Sequence, residues 1–183
     1  MQSKILIFIL LSIPVVLISW RPLKSYRNHG FYRFFGWECL LWLVLSNVSA
    51  WFVNPLSFKQ ILSWILLFYS FFIVTAGFIT MRRKGNAHHS REGDALYGFE
   101  KTTELVDTGI FKYIRHPMYG SLIFLSLGVY LKHTGLEQSI VAFAAVIFFY
   151  LTAFREEMEN IAWFGQTYLD YIKRTKKFVP FLW

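Results

Sequence analysis

The sequence predicts an all-α integral membrane protein with about five transmembrane helices, the fourth and fifth forming a hairpin, and a C-terminal cytosolic amphipathic helix. Three observations predict it. The 183 residues are 55% hydrophobic and 20% aromatic, with only 16% charged, and the mean hydropathy is +0.40, outside the habits of a soluble domain of this size. Long uncharged runs recur, several of the roughly 17–25 residues that cross a ~30 Å hydrocarbon core. The basic residues collect in short loops between those runs instead of on one polar face.

Ile5–Trp20 is the first run, followed directly by Arg21, Lys24 and Arg27. No small-x-small cleavage site precedes that basic stretch, and Trp20-Arg21-Pro22 reads as a helix end at an interface, so the run counts as a crossing and not as a signal peptide. Phe31–Val53 is the second, interrupted by Arg33 and Glu38 and stopped by Asn54-Pro55. Glu38 is expected to snorkel or to pair with Arg33, and His29 reads as a loop residue. Gln60–Thr80 is the third, ended by Met81-Arg82-Arg83-Lys84-Gly85. Met118–Leu131 has 14 residues, about 21 Å of helix, too short for a full crossing unless it starts inside the interface or leans on a partner. Lys132-His133-Thr134-Gly135 turns the chain, and Leu136–Phe154 runs back. Residues 1–183 form one membrane domain, with three helices in 1–81 and the polar motifs in 82–183.

Charge sets the expected orientation. Five crossings with the C-terminus inside put sixteen of the 19 Lys and Arg residues on one side and only Lys4, Lys59 and Lys132 on the other, the split that the positive-inside rule expects. The two long polar segments, Arg82–Pro117 and Arg155–Trp183, then share the cytoplasmic side. The net charge of +8 does not point to nucleic acid, because no basic face exists to carry it. Cys39 is the sole cysteine, so there is no intrachain disulfide and no cysteine-based zinc site. His88-His89 and His133 lack partners at ligand spacing, and no metal site is expected.

The densest chemical signal is Gly109-Ile110-Phe111-Lys112-Tyr113-Ile114-Arg115-His116-Pro117-Met118-Tyr119. Proline favours the first helical position and pushes His116 into an extended conformation, so the fourth helix should open here with free N–H groups beside Arg115 and His116. Such an end seats a carboxylate or phosphate; the plainer alternative is that Arg115 and Tyr119 anchor the helix among lipid headgroups. The second signal is Arg155-Glu156-Glu157-Met158-Glu159. At 100° per residue, Ile161, Phe164, Tyr168 and Tyr171 lie within about 40° of Glu157, which therefore points into the apolar stripe of an amphipathic helix, while Glu156 faces a neighbour. A carboxylate there is costly unless a cation or hydroxyl meets it.

Taken together, Glu104-Leu105-Val106 with Gly109, Phe111 and Arg115-His116-Pro117-x-Tyr119, then a helical hairpin, then Glu156-Glu157 with Gly165, Tyr168 and Tyr171, and finally Phe178-x-Pro180, resembles the isoprenylcysteine carboxyl methyltransferase family and the phospholipid methyltransferases that share its C-terminal pattern. The resemblance covers about Thr102 to Pro180 and makes 82–183 the cofactor-binding, catalytic half. It implies S-adenosyl-L-methionine in a cytosol-facing pocket lined by Thr103, Glu104, Leu105, Val106, Gly109, Phe111, His116, Pro117, Met118, Tyr119 and Glu156, with Arg115, Glu156 and Glu157 as the catalytic set. The family's substrate-binding arginine falls four residues before the first acid, where this chain has Thr152; Arg155, three residues on, points elsewhere on the helix. That departure points away from prenylcysteine and toward a lipid amine, another small amphiphile or a thiol, with Arg155 and Thr152 marking the acceptor's side. Membrane lipids are then the expected partners.

Two other readings stay open on the sequence. A sterol-reductase-like membrane enzyme shares a related C-terminal pattern but binds NADPH. A non-enzymatic membrane scaffold or lipid-binding protein would keep the fold with a decayed pocket.

Overall fold

The computed structural model describes residues 2–84 and 104–180. Six α-helices make up the described chain: α1 Gln2–Ser19, α2 His29–Asn47, α3 Phe58–Lys84, α4 Pro117–Tyr130, α5 Leu136–Phe164 and α6 Gln166–Arg174. α1, α3 and α5 are each long and apolar enough to cross a membrane; α4 is apolar but short.

Contacts along the chain show how the helices run. Ser12 and Phe8 of α1 meet Glu38 and Trp42 of α2, and His29 and Phe35 of α2 meet Glu159 and Phe148 of α5. In the same sense Ser63 and Ser70 of α3 meet Gly128 and Ser121 of α4. In each pair the lower number on one helix answers the higher on the other, so all three pairs are antiparallel. One end of the bundle therefore gathers the starts of α2 and α4 with the ends of α1, α3 and α5. The other end gathers the α2–α3 and α4–α5 connections.

Polar side chains tie these apolar helices together. Ser63 Oγ donates to the Gly128 carbonyl at 2.6 Å, Ser70 Oγ to that of Ser121 at 2.7 Å, and Asn47 Nδ2 to that of Val129 at 2.8 Å. Where neighbouring surface offers no hydrophobic gain, such bonds and close backbone approach hold helices together. Glycine supplies the approach: a Cβ on Gly36 would sit 2.6 Å from the Phe149 ring, and one on Gly128 would sit 2.9 Å from the Leu67 side chain. Phe149 is fully buried in the cluster with Leu40, Tyr119, Ile123 and Phe178 and has nowhere to move. Gly36→Ala is therefore expected to cost about 1–3 kcal/mol through overpacking, read as a lower thermal midpoint of the micelle-embedded protein.

Several boundaries differ from the sequence expectation. α2 starts at His29, with Asn28 Oδ1 accepting from Gly30 N at 3.0 Å as its cap. It stops at Asn47, whose side chain turns to α4, and a short 3-10 turn, Val48–Ala50, follows. Glu38 is met by Ser12 Oγ at 2.6 Å instead of Arg33. His29 is no loop residue: it is fully buried, its N and Nδ1 held by the Glu159 carboxylate at 3.0 and 2.7 Å. α5 carries on past its apolar run at Phe154 to Phe164, and the helical count from Glu157 to Tyr171 is interrupted at Gly165, whose φ 58, ψ −131 breaks α5 from α6. That backbone region is essentially restricted to glycine. α6 buries Tyr168 and Tyr171 and exposes Asp170, Lys173 and Arg174.

Helix lengths position the site. α4 spans about 21 Å, whereas the 27 residues of α3 and 29 of α5 span roughly 40 and 44 Å. α3 and α4 are in step at Gln60–Lys132 and again where Gly77 abuts Pro117. The last turns of α3 and α5 therefore overhang the start of α4, leaving a hollow with α4 as its floor.

Candidate active site

The floor is built by pairing, not by a free helix end. The C-terminal segment after α6 runs beside residues 113–116: Lys176 N donates to the Tyr113 carbonyl at 2.9 Å, Arg115 N to that of Lys176 at 2.8 Å, and His116 N to that of Lys177 at 3.1 Å. Phe178 follows into the core beneath His116 and Tyr150. The expectation of free N–H groups at Arg115 and His116 is thus corrected, because this strap consumes both. Gly120 N to the His116 carbonyl, at 2.9 Å, is the first rung of α4, and the Met118 amide precedes it in the first turn.

Four charged side chains converge above the floor. Glu157 is the hub: Arg115 Nε donates to its Oε1 at 2.8 Å, His116 Nε2 lies 3.3 Å from the same oxygen, and Lys177 Nζ is 2.8 Å from Oε2. The Arg115 guanidinium also donates to the Thr175 and Ile172 carbonyls. Both Glu157 oxygens are thus taken up by three cationic or imidazole partners. Glu156 is different. Its Oε2 is 3.7 Å from His116 Nδ1, beyond a hydrogen bond, and its side chain lines both clefts of the hollow.

Those clefts measure about 280 and 430 Å³ and share Met81, Phe111, Arg115 and Glu156. The first reaches His116, Pro117, Met118 and Tyr119. The second reaches Leu105 and Val106 on one wall, and Asn160, Phe164, Tyr168 and Tyr171 on the other. Burial, with the charge of Glu156 second, pushes the Tyr168 phenol far above its ordinary pKa, and burial does the same to Tyr171. Both stay neutral: Tyr171 donates to the Phe111 carbonyl at 2.7 Å, and Asn160 Nδ2 donates to the Tyr168 oxygen at 3.4 Å. The hollow therefore offers one carboxylate with open oxygens opposite a buried cationic edge, enclosed by apolar and phenolic walls.

Of the residues singled out from the sequence, Leu105, Val106, Phe111, Arg115, His116, Pro117, Met118, Tyr119 and Glu156 line this hollow, and Glu157 braces it. Glu104 is exposed and lines neither cleft. Gly109, at φ 59, packs against Thr80 at the end of α3. Arg155 lies over the Tyr32 ring and beside Met158, away from the clefts. Thr152 is fully buried, its hydroxyl bonded back to the Phe148 carbonyl at 2.7 Å, so neither it nor Arg155 faces the hollow. Thr103, like His88 and His89, lies outside the described residues. Sequence reading missed Met81, Asn160 and Lys177. A period-3.6 count from Glu156 would have found Asn160 one turn on, but nothing local marks Lys177.

The described residues form an all-helical fold with three apolar, membrane-length helices and a two-signed hollow at one end. A family model for phospholipid methyltransferases matches residues 58–167, more than half of the chain, from α3 through the first residues of α6. The chain belongs to the phospholipid methyltransferase family and is a membrane methyltransferase. The match reaches further toward the N-terminus than the motifs from Thr102 onward and includes both the Arg115–Tyr119 floor and the acidic pair, while α1, α2 and the Lys177 strap lie outside it. No curated protein and no solved structure matches the chain.

Proposed function

We propose that the protein is a multi-pass methyltransferase that uses S-adenosyl-L-methionine to methylate a lipid-like or small amphiphilic acceptor, with its hollow and C-terminus on the cytoplasmic side. The observation that carries this reading is the pairing of Glu156, whose oxygens have no hydrogen-bond partner among the described residues, with the donor edge of Arg115 and His116 inside a family-matched segment. A methionyl group carries a carboxylate and an ammonium, and the attached ribose carries hydroxyls. His116 and the Met118 amide suit the carboxylate, and Glu156 suits the ammonium or the hydroxyls. The bound cofactor supplies the methyl group on a sulfonium. The chain's own work is alignment and exclusion of water, since transfer from a cation to an electron-rich acceptor needs little acid–base help but gains from a dry, preorganised site.

Position explains how the acceptor arrives. On the five-crossing topology, with α2 and α4 as the shorter spans, about 21 Å of α4 under a ~30 Å hydrocarbon layer leaves the hollow's floor roughly 9 Å inside the apolar zone. A lipid's reactive head then reaches the floor from the side, while the cofactor comes from water above. The family supports a phospholipid acceptor, whereas the carboxyl methyltransferase subtype gains nothing from the position of Thr152, which is sealed in the core.

Calorimetry separates the alternatives. S-adenosylhomocysteine is expected to bind the full chain in uncharged micelles with one site per chain, and NADPH to give no heat. The reverse result favours a reductase, and silence with both favours a scaffold.

A further inference from the structure

At the bundle end opposite the catalytic hollow, the α2–α3 and α4–α5 connections enclose an open cleft of about 600 Å³. Lys132 is buried there at 5% exposure. Its ammonium sits 3.5 Å from the Trp64 ring centroid, 5.5 Å from that of Trp51, and 3.0 Å from Gln60 Oε1. Two π faces and one amide oxygen orient the charge, but no carboxylate among the described residues neutralises it, and burial lowers its pKa. The cleft also presents Lys59, held by Thr134 Oγ1 at 3.0 Å, and His133. No acidic side chain of the described residues lines it; the neighbouring Glu137 accepts from Trp42 Nε1 at 2.7 Å. An ionised side chain buried beside a membrane without a counter-ion is costly and marks a functional site.

We propose that this cleft binds the phosphate of an anionic lipid headgroup from the leaflet opposite the catalytic hollow. The lipid source follows from the surroundings: Phe52, Leu56 and Phe58 are exposed at the same end, where they enter the acyl layer and set the cleft at headgroup depth. Trp51 and Trp64 complete an interfacial aromatic belt. Ligation supplies the counter-charge that Lys132 lacks and clamps the α4–α5 turn to the start of α3. The site thereby braces the hairpin that carries Pro117 and Glu156 at its far end. It is independent of the methyl donor.

The test uses the full chain in an uncharged maltoside micelle at constant ionic strength. Its thermal midpoint is followed against short-chain phosphatidylglycerol, short-chain phosphatidylcholine and inorganic phosphate, for wild type, Lys132→Met and the double variant Lys59→Gln/His133→Gln. Binding to the folded state raises the midpoint, and any contribution from the catalytic hollow is common to all three proteins. Phosphatidylglycerol is expected to reach half-effect in the wild type at a concentration at least fivefold lower than in either variant, with phosphatidylcholine weaker. Coincident curves for the three proteins overturn the proposal. Inorganic phosphate matching phosphatidylglycerol in the wild type overturns the lipid source. The double variant changes only exposed side chains, so it carries the test if Lys132→Met does not fold.

Discussion

Glu156→Ala is expected to weaken binding of S-adenosylhomocysteine by about ten- to hundredfold, the equivalent of losing a hydrogen bond to a charged group worth about 1.5–3 kcal/mol. The thermal midpoint without ligand should stay within a degree or two, because no hydrogen bond within the described protein depends on Glu156 and its nearest charged partner is 3.7 Å away. Calorimetry and thermal unfolding on the same preparation separate the two effects. Unchanged affinity would remove Glu156 from the cofactor's neighbourhood. A collapse of the midpoint would make it a structural acid.

Glu157→Gln should behave in the opposite way. It strips the counter-charge from Arg115 and Lys177 and the carboxylate partner from His116 at once, in a setting where side-chain exposure is only 11% for Glu157 and 3–13% for the three partners. Removing one member of a buried ionic set leaves the others unpaired, which costs about 3–5 kcal/mol. The midpoint is expected to fall by several degrees, with cofactor affinity lost secondarily as His116 drifts. Adding Lys177→Met to Glu157→Gln should recover part of the loss, since residues of one network are not additive. A double variant as damaged as the sum of its two singles would show that Lys177 is a surface charge.

This contrast between adjacent acids was half legible in the sequence. Periodicity put Glu157 on the buried stripe with Tyr168 and Tyr171, and it is buried, while the family resemblance pointed to Glu156, which faces the clefts. The two indications describe different properties, burial and access. The apolar runs likewise marked α1, α3 and α5 because burial in lipid needs length and hydropathy, both local quantities. What stayed illegible depends on distant partners. His29 looks like a loop residue until Glu159, 130 positions away, meets it. Lys177 sits in a segment with no period, and its role comes from a strap that pairs with residues 113–116. The helical count from Glu157 to Tyr171 ran on without a break, because a period alone does not mark Gly165, whose positive φ ends α5 and starts α6.

The strap also changes how the floor is understood. A proline-started helix by itself advertises several unused N–H groups; here two neighbouring donors are spent on the chain's own C-terminal segment, and the proposed carboxylate seat rests on the His116 ring and the Met118 amide. Fixing the backbone at Arg115 and His116 in this way holds both side chains on Glu157 before any ligand arrives, the preorganisation that methyl transfer between two bound groups requires.

Transfer of labelled methyl from S-adenosyl-L-methionine into a total lipid and small-molecule extract tests the central claim most directly. The full chain is expected to place label in an amphiphilic, organic-phase product, and His116→Ala is expected to abolish that label while the protein remains folded. Label that never exceeds the protein-free control, or that persists undiminished in His116→Ala, would contradict a methyl-transfer site between the floor of α4 and the acids of α5.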